Sequence, residues 1–535
     1  MNMPFLWAKT VKAVVAVAPA ICVAALLSLQ AAPSAAQVSS GAIGIFEGRT
    51  DVGETVHPGV AEYDAAKKTY TVTAAGENMW STKDAFYFLW KKVSGDIELS
   101  ADIAFPQEGG RPHRKAALIL KQDMDPDGVY ADVALHGSGL SALQYRRAKG
   151  ATTQDIELNI DMPQRARIAK RGDEITMFLS MHGEPLHQAG ASIKLHFDGP
   201  FYAGIGLCSH NKDVTEIAIF SNVELKKPEA PADKLALFGA LQTIQTEDNF
   251  RRSMMVRTAM GRIGSANWTK DGQTLYFDRE GQIEKMSVLG ATPESVKIGP
   301  RLWCDDNHGL SPDNKLLAVS CAPTRGPATS IYLVSLDGSE GTGSRRLTRG
   351  GVVEFHGWSP DGTTIVFAGT RNGRKDIYAV PAQGGQETRL TTTGTNDAPD
   401  FGPDGSIYFD SDRSGAMQIW RMNADGTHAE QLTHDDTNDW FPHVSPDGKQ
   451  MVYLTCARVI VGHPANKDVS LRLMDLHNGQ SRVLVDLFGG EGTINAPSWS
   501  PDNHHLAFTG YEMLPSSADG PEFVMVAPRP DTPSK

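Results

Sequence analysis

Apolar and polar residues alternate in short runs over most of residues 40–511. Runs such as Tyr70-Thr-Val-Thr, Ile97-Glu-Leu-Ser-Ala-Asp-Ile, Tyr130-Ala-Asp-Val-Ala-Leu, Ile175-Thr-Met-Phe-Leu-Ser and Ile217-Ala-Ile-Phe are separated by turn residues. A period of two places successive side chains on opposite faces of a pleated strand. Helical periodicity of useful length is missing from the first part, about 40–227. This pattern predicts an all-β chain, with a two-sheet sandwich in its first part.

The second part repeats. Six hairpins share one core pattern: Trp268-Thr-Lys-Asp-Gly, Leu310-Ser-Pro-Asp-Asn, Trp358-Ser-Pro-Asp-Gly, Phe401-Gly-Pro-Asp-Gly, Val444-Ser-Pro-Asp-Gly and Trp499-Ser-Pro-Asp-Asn. Their aspartates, 271, 313, 361, 404, 447 and 502, are 42, 48, 43, 43 and 55 residues apart, which suits four short strands per repeat. Proline presets φ, aspartate can bond its own backbone, and glycine or asparagine accepts a positive φ. A strand follows every turn, as in Ile365-Val-Phe and Ile407-Tyr-Phe. A third comes next, as in Ile377-Tyr-Ala-Val and Ile419-Trp-Arg-Met, and a fourth ends in Arg389-Leu-Thr or Gln431-Leu-Thr.

These repeats resemble the TolB-like, WD40-like propeller family over roughly residues 239–511. The resemblance implies a six-bladed β-propeller. Only one convincing strand, Leu506 to Gly510, follows Asp502, so the last repeat lacks two strands. Leu241-Gln-Thr-Ile and Met254-Met-Val-Arg-Thr precede the first repeat without a turn motif. Residues 239–258 are therefore expected to complete the blade begun at 494–511 and to close the ring. Trp80 to Ile103, with Phe86-Tyr-Phe-Leu-Trp and Gly95-Asp-Ile-Glu-Leu, and Tyr202 to Leu225 look like a concanavalin A-like jelly roll. The expected order is a signal peptide at 1–36, a sandwich at 38–227, a linker at 228–238, the propeller at 239–511 and a polar tail at 512–535.

Lys9 and Lys12, the apolar stretch Val14 to Leu29 and Ser34-Ala35-Ala36 read as a cleavable export signal, with no transmembrane segment after cleavage. The expected location is periplasmic or secreted. Net charge is −12, and loss of Lys9 and Lys12 brings it to −14. An acidic surface repels phosphate backbones, so nucleic acid is excluded as an expected partner. Among Cys208, Cys304, Cys321 and Cys456, Cys304 and Cys321 are the only close pair, and buried free thiols and a bridge both remain open. The sequence carries no Gly-x-Ser-x-Gly elbow, His-Glu-x-x-His, Walker loop or dinucleotide fingerprint.

Candidate chemistry lies just before the turns. Seven positions before each motif aspartate stand Gly264, Asp306, Glu354, Asp397, Trp440 and Asn495. Five before stand Ala266, His308, His356, Pro399, Pro442 and Pro497, and His443 is four before Asp447. These positions enter the innermost strand of each blade, and a two-residue spacing puts the seventh and fifth on one side. The long loop Ala457 to Asp468, with His463, is expected on the same face, as is Asp439. Imidazoles and carboxylates converging on a channel mouth could bind a divalent cation such as Mn, Ca or Zn. Aspartate or asparagine ahead of the turn can instead bond strand-end backbone.

Three functions are compatible with this pattern. One is an exported protein that binds a carbohydrate or an envelope protein, as the TolB resemblance implies, since TolB acts within a cell-envelope complex. Another is a metal-assisted polysaccharide lyase or hydrolase acting at the histidine cluster, by architectural analogy with oligogalacturonate lyases. The third is a structural envelope scaffold. Whether the chain is an enzyme is left open at this stage. In the sandwich, Trp80, Trp90 and Tyr130 read either as core-filling aromatics or, for Trp80 and Tyr130 above all, as candidate sugar platforms, and Arg146-Arg147 reads as a solvated edge pair.

Overall fold

The computed structural model describes residues 38–515 except 40, 108, 159–162, 181–185, 229–234, 248–251, 259–261, 291, 299–301, 328–329 and 338–343, and in addition 524–525. The expected signal peptide and most of the expected linker lie outside the described residues. Every regular element among the described residues is a strand. Among the described residues no helix is long and apolar enough to cross a membrane.

The first part is a β-sandwich. One sheet runs in the order Gly48–Val52, Phe86–Val93, Phe201–Cys208, Lys115–Lys121, Tyr130–His136, Ser141–Arg146, Gln154–Leu158. The facing seven-stranded sheet runs from His187–Lys194 through Ile97–Ala104 and Asn211–Lys226 to Val60–Asp64. Leu118, Leu120, Val133, Leu143 and Ile156 from the first sheet pack on Val72, Leu99, Ile168, Met177 and Phe220 from the second in one apolar core. That core follows from the period-two pattern, which gives each strand one apolar face.

Five repeats form separate four-stranded sheets, the first starting at Ile263–Trp268 and the fifth ending at Ser481–Gly489. Their turns work as the motif suggests. Ser359 Oγ donates to Asp361 Oδ1 at 2.6 Å, the same oxygen accepts the Thr363 N–H at 3.0 Å, and Gly362 takes φ +71°. Where the motif carries a tryptophan, it ties its repeat to the one before: Trp358 Nε1 donates to Gly309 O at 3.0 Å and Trp268 Nε1 to Ser498 O at 3.0 Å. Cys304 and Cys321 face each other on paired strands and are disulfide-bonded, while Cys208 and Cys456 are buried thiols.

The sixth repeat corrects the expected count of six blades. Its inner strand is reduced to the single bridge Trp499–Leu506. Strand Leu235–Gln245 pairs antiparallel with His505–Pro515 along its whole length, and Arg252–Thr258 pairs with Leu235–Gln245. The next neighbour is the sandwich, because Ile156 and Glu157 pair in parallel with Arg252 and Ser253. These strands therefore belong to one twelve-stranded sheet shared with the sandwich and make no separate fourfold blade. The strand expected to stop at Gly510 runs on to Pro515, and Val524–Met525 in the expected polar tail pairs with Arg252–Thr258.

Candidate functional site

The innermost strands carry the candidate residues, and each has an irregularity at that point. The register shifts between Ile263 and Ala266, Cys304 and His308, Phe355 and Gly357, Asp397 and Asp400, and Trp440 and His443. A bulge breaks the alternation of faces. The two-residue spacing expected to put the seventh and fifth positions on one side of the strand therefore does not hold through these shifts.

The histidines separate accordingly. His308 is buried with Nδ1 2.7 Å from Asn267 Oδ1 and Nε2 3.1 Å from Ser265 O. His443 is buried with Nδ1 2.9 Å from Asp400 Oδ2 and Nε2 2.6 Å from Ile494 O. Both rings tie neighbouring repeats together and leave no nitrogen for a ligand. Burial also holds the His308 pKa down to about 4. Neither belongs to the channel cluster, which corrects their assignment as ligand groups. His356, 2% exposed, has no hydrogen-bond partner on either ring nitrogen. Its Nε2 lies 3.7 Å from Asp397 Oδ1.

Around His356 the structure gathers Glu354, Asp397 and His463. Ligand atoms of Glu354, His356 and Asp397 lie within 4.8 Å of one another. Lys375 stands between the carboxylates, with Nζ 2.5 Å from both Asp397 Oδ2 and Glu354 Oε2. His463 Nε2 is 3.2 Å from Asp397 Oδ2, and its Nδ1 pairs with Glu491. Trp440 and Phe441 present edges to the His463 ring at centroid distances of 4.6 and 4.8 Å. Trp440 is 4% exposed and positions His463 as a wall of the site. Asp439 is fully buried, bonded by Thr437, and lies outside the cluster.

A second acidic group adjoins the first. A Cβ on Gly264 would sit 1.8 Å from Asp278 Oδ1 and 2.7 Å from Asp306 Cβ, so only glycine fits there. Gly492, next to Glu491, approaches Asp306 and the Tyr511 hydroxyl in the same way. Asn495 Nδ2 donates to Glu491 Oε1 at 2.8 Å.

Carboxyl groups outnumber cations at this centre. Asp278, Asp305, Asp306, Glu354, Asp397, Asp410 and Glu491 face the cations Lys375, His463 and Arg262. Burial pushes Asp278 up to about 7, and burial with neighbouring carboxylates lifts Asp305, Asp306 and Asp410 well above the usual carboxylate range. Burial opposes ionised His463, but Glu491 and Asp397 overcome it and hold the imidazolium charged well above its ordinary pKa. Glu354, Lys375, His463 and Glu491 keep side-chain exposures of 20–29%, so this centre touches solvent.

Lys375, Glu491, Asp278, Asp305 and Asp410 were not singled out by sequence reasoning. Glu491 had a readable signal, a carboxylate within the glycine-rich Gly489 to Gly492 loop. Lys375, Asp278 and Asp410 lie on second or third strands, where the turn motif gives no register. In the sandwich, Tyr130 is 1% exposed between Lys121 and Arg146, so it cannot serve as a sugar platform. Trp80 is half-buried beneath Lys115, 5.4 Å from its ring centroid. Arg146 is fully buried and grips both oxygens of Asp84 at 2.8 Å, which corrects its reading as solvated.

Comparison with known proteins places this architecture. Residues 348–513 match the PD40 family, described as a TolB beta propeller domain. An uncharacterized protein of Agrobacterium fabrum is 42% identical over 248 residues, 46% of this chain and 83% of that relative. The chain belongs to the TolB β-propeller family. The Tol-Pal system protein TolB of Francisella tularensis strain WY96-3418 is 25% identical over 268 residues, which are 49% of this chain and 59% of that protein. The chain thus spans less than two thirds of that TolB. A solved structure assigned as TolB, from Agrobacterium tumefaciens, is 37% identical over 52% of this chain and 99% of its own, with a TM-score of 0.49.

Proposed function

We propose that this protein is a binding propeller of the cell envelope that captures a positively charged segment of a partner protein at its axial acidic centre. The observation that carries this reading is the excess of carboxyl groups over cations there, several of them held protonated by burial and able to ionise when a cation arrives, with Glu354 and Glu491 reaching solvent. A cleft lined by one sign of charge focuses its field on ligands of the opposite sign. The export signal read from residues 1–36 and the family relationship support an envelope location. The concanavalin A-like reading of the sandwich rests on its two facing sheets and on the Trp80 to Ile103 and Tyr202 to Leu225 stretches. A carbohydrate ligand has less support, since Tyr130 is buried. The lyase and scaffold alternatives are not favoured.

The test is fluorescence anisotropy of a labelled lysine-rich decapeptide and a glutamate-rich control, at low and high salt. Saturable, salt-sensitive binding of the basic peptide alone, weakened at least about tenfold by Glu491→Gln/Glu354→Gln, is expected. Equal binding of both peptides, or none, would overturn the proposal.

A second reading concerns a divalent cation. His356 has two unpaired ring nitrogens beside Glu354 and Asp397. These residue types suit Mn, Ca or Zn in different degrees, the carboxylates favouring Mn or Ca and the imidazole favouring Zn. Lys375 pairs with both carboxylates, so an ion would have to displace its ammonium. Elemental analysis after equilibration with each metal tests this: a stoichiometric ion in the wild type that is lost in His356→Ala supports it, and no ion in either refutes it.

A further inference from the structure

The outer strand of the second repeat, Ser344–Arg346, and the segment that follows it carry Arg345, Arg346 and Arg349. Together with the turn Gln383-Gly384-Gly385 of the third repeat they line a cleft of about 550 Å³. The cleft lies between outer parts of two neighbouring repeats and shares no residue with the acidic centre.

The arginines stand on an anchored backbone. Arg345 and Arg346 pair with Leu333 and Tyr332 of the next strand inward. Leu347 N–H donates to Ile331 O at 2.8 Å, and Thr348 Oγ1 accepts the Ile331 N–H at 2.9 Å. Arg345 Nη2 reaches across to Ala382 O at 2.9 Å, and a Cβ on Gly384 would lie 3.9 Å from its Nη1. Arg346 is exposed, and its Nε donates to Thr348 O at 2.9 Å. That bond steadies the guanidinium and leaves both Nη atoms without a partner among the described residues. Arg349 is exposed too, and its guanidinium makes no hydrogen bond or ion pair among the described residues.

Among the described residues no carboxylate lines the cleft. Glu387 stands beside it, accepting the Arg349 N–H at 3.3 Å, and is engaged by Arg371 at 3.0 Å. A single exposed arginine on a strand edge needs no ligand. Three around one cleft, on a chain of net charge −12, make a local field opposite in sign to the rest of the molecule, and such a field gathers anions.

We propose that this cleft binds a phosphate monoester. A planar carboxylate is matched by one guanidinium fork, whereas a tetrahedral dianion offers three oxygens to forks arriving from different directions, here Arg346 and Arg349. The volume admits the phosphate and a small group that carries it, such as a sugar or glycerol. The acidic remainder of the chain disfavours an extended polyanion. A soluble phosphate ester and a lipid headgroup present the same chemistry.

Isothermal titration of the full chain with glucose 6-phosphate, glucose and citrate tests this. Glucose 6-phosphate should bind saturably, at least about tenfold tighter than citrate, and glucose should not bind. Binding should strengthen at least about threefold between about pH 5 and about pH 7.5, as the second phosphate proton leaves near pH 6. Arg346→Gln and Arg349→Gln should each weaken it at least about fivefold and together abolish it, with the melting temperature unchanged because both side chains are exposed. Co-sedimentation with phosphatidate vesicles, against phosphatidylcholine vesicles, separates the two sources. Pull-down by phosphatidate alone, lost in the double variant, assigns a lipid headgroup; binding of glucose 6-phosphate without pull-down assigns a soluble ester. The proposal is overturned if neither glucose 6-phosphate at about 10 mM nor phosphatidate vesicles bind, if citrate binds as tightly as glucose 6-phosphate, or if the double variant binds as the wild type does.

Discussion

Replacing Lys375 by methionine removes the cation that stands between Glu354 and Asp397. Its Nζ lies 2.5 Å from a carboxylate oxygen of each. Side-chain exposures are 20% for Lys375, 25% for Glu354 and 4% for Asp397, so only Asp397 is fully cut off from water. Breaking a fully buried pair by removing one partner costs about 3–5 kcal/mol, and partial exposure places this loss near the lower end, about 3 kcal/mol at pH 8. Burial works against the Asp397 carboxylate, but Lys375, His356 and His463 overcome it and hold its pKa well below the ordinary value. A depressed carboxylate contributes stability above its unfolded pKa and loses it as pH falls through the folded value. In the variant the sign reverses: burial and mutual repulsion raise both carboxylates above their unfolded values. The folded variant then takes up protons on acidification and recovers stability. The difference from wild type should shrink to about 1 kcal/mol near pH 5. The chain has several structural units, so a single unfolding free energy is not well defined. Hydrogen exchange of peptides covering 352–358 and 396–401, corrected for intrinsic rates, reads the local opening energy instead. A loss below about 0.5 kcal/mol at pH 8, or one that does not shrink toward pH 5, would refute the ion-pair account.

Asp278→Asn should stabilise the first blade above neutral pH. Burial raises Asp278 to about 7, so the wild type loses stability as pH rises from the unfolded value through 7; exchange of peptide 274–279 should show a gain of about 2–4 kcal/mol at pH 8.5 and none near pH 3.5. Cys304→Ser/Cys321→Ser opens a loop of sequence separation 17 and should cost about 3 kcal/mol in the opening of the second blade; reducing agent should reproduce the loss in the wild type and leave the variant unchanged. His308→Ala should destabilise the propeller by at least about 2 kcal/mol by leaving buried partners unbonded. His356→Ala should cost at least about 2 kcal/mol in the exchange of peptide 352–358, because it empties buried volume and removes the imidazole 3.7 Å from Asp397 Oδ1.

The regular part of the fold was legible because it is governed by local rules. Period-two alternation marked the strands, and the Ser-Pro-Asp turns set the register of repeats 2, 3 and 5, where serine and aspartate bond each other as their chemistry requires. The site was only partly legible. Spacing brought Asp306, Glu354, His356 and Asp397 to the right neighbourhood, and the long loop supplied His463. It could not separate His356 from His308, because bulges at the inner strands turn equivalent positions toward different neighbours. Nor could it show Lys375, whose role depends on a third strand reaching back across its own sheet. Arg146 read as a surface residue because burial of a charge depends on a distant partner, here Asp84.

The joined sheet explains why the last repeat departs from the other five. In an isolated ring, the outer edge of the closing strand Arg252–Thr258 would leave unpaired backbone groups facing solvent. Here Gln154–Leu158 of the sandwich pairs with the start of that edge, and Val524–Met525 pairs with it further along. The edge is therefore covered by other parts of the same chain. The same pairing delivers Arg252 to the wall between the two parts, where burial without a partner is otherwise unfavourable. A protein selected only for stability would gain by exchanging that arginine for an apolar residue.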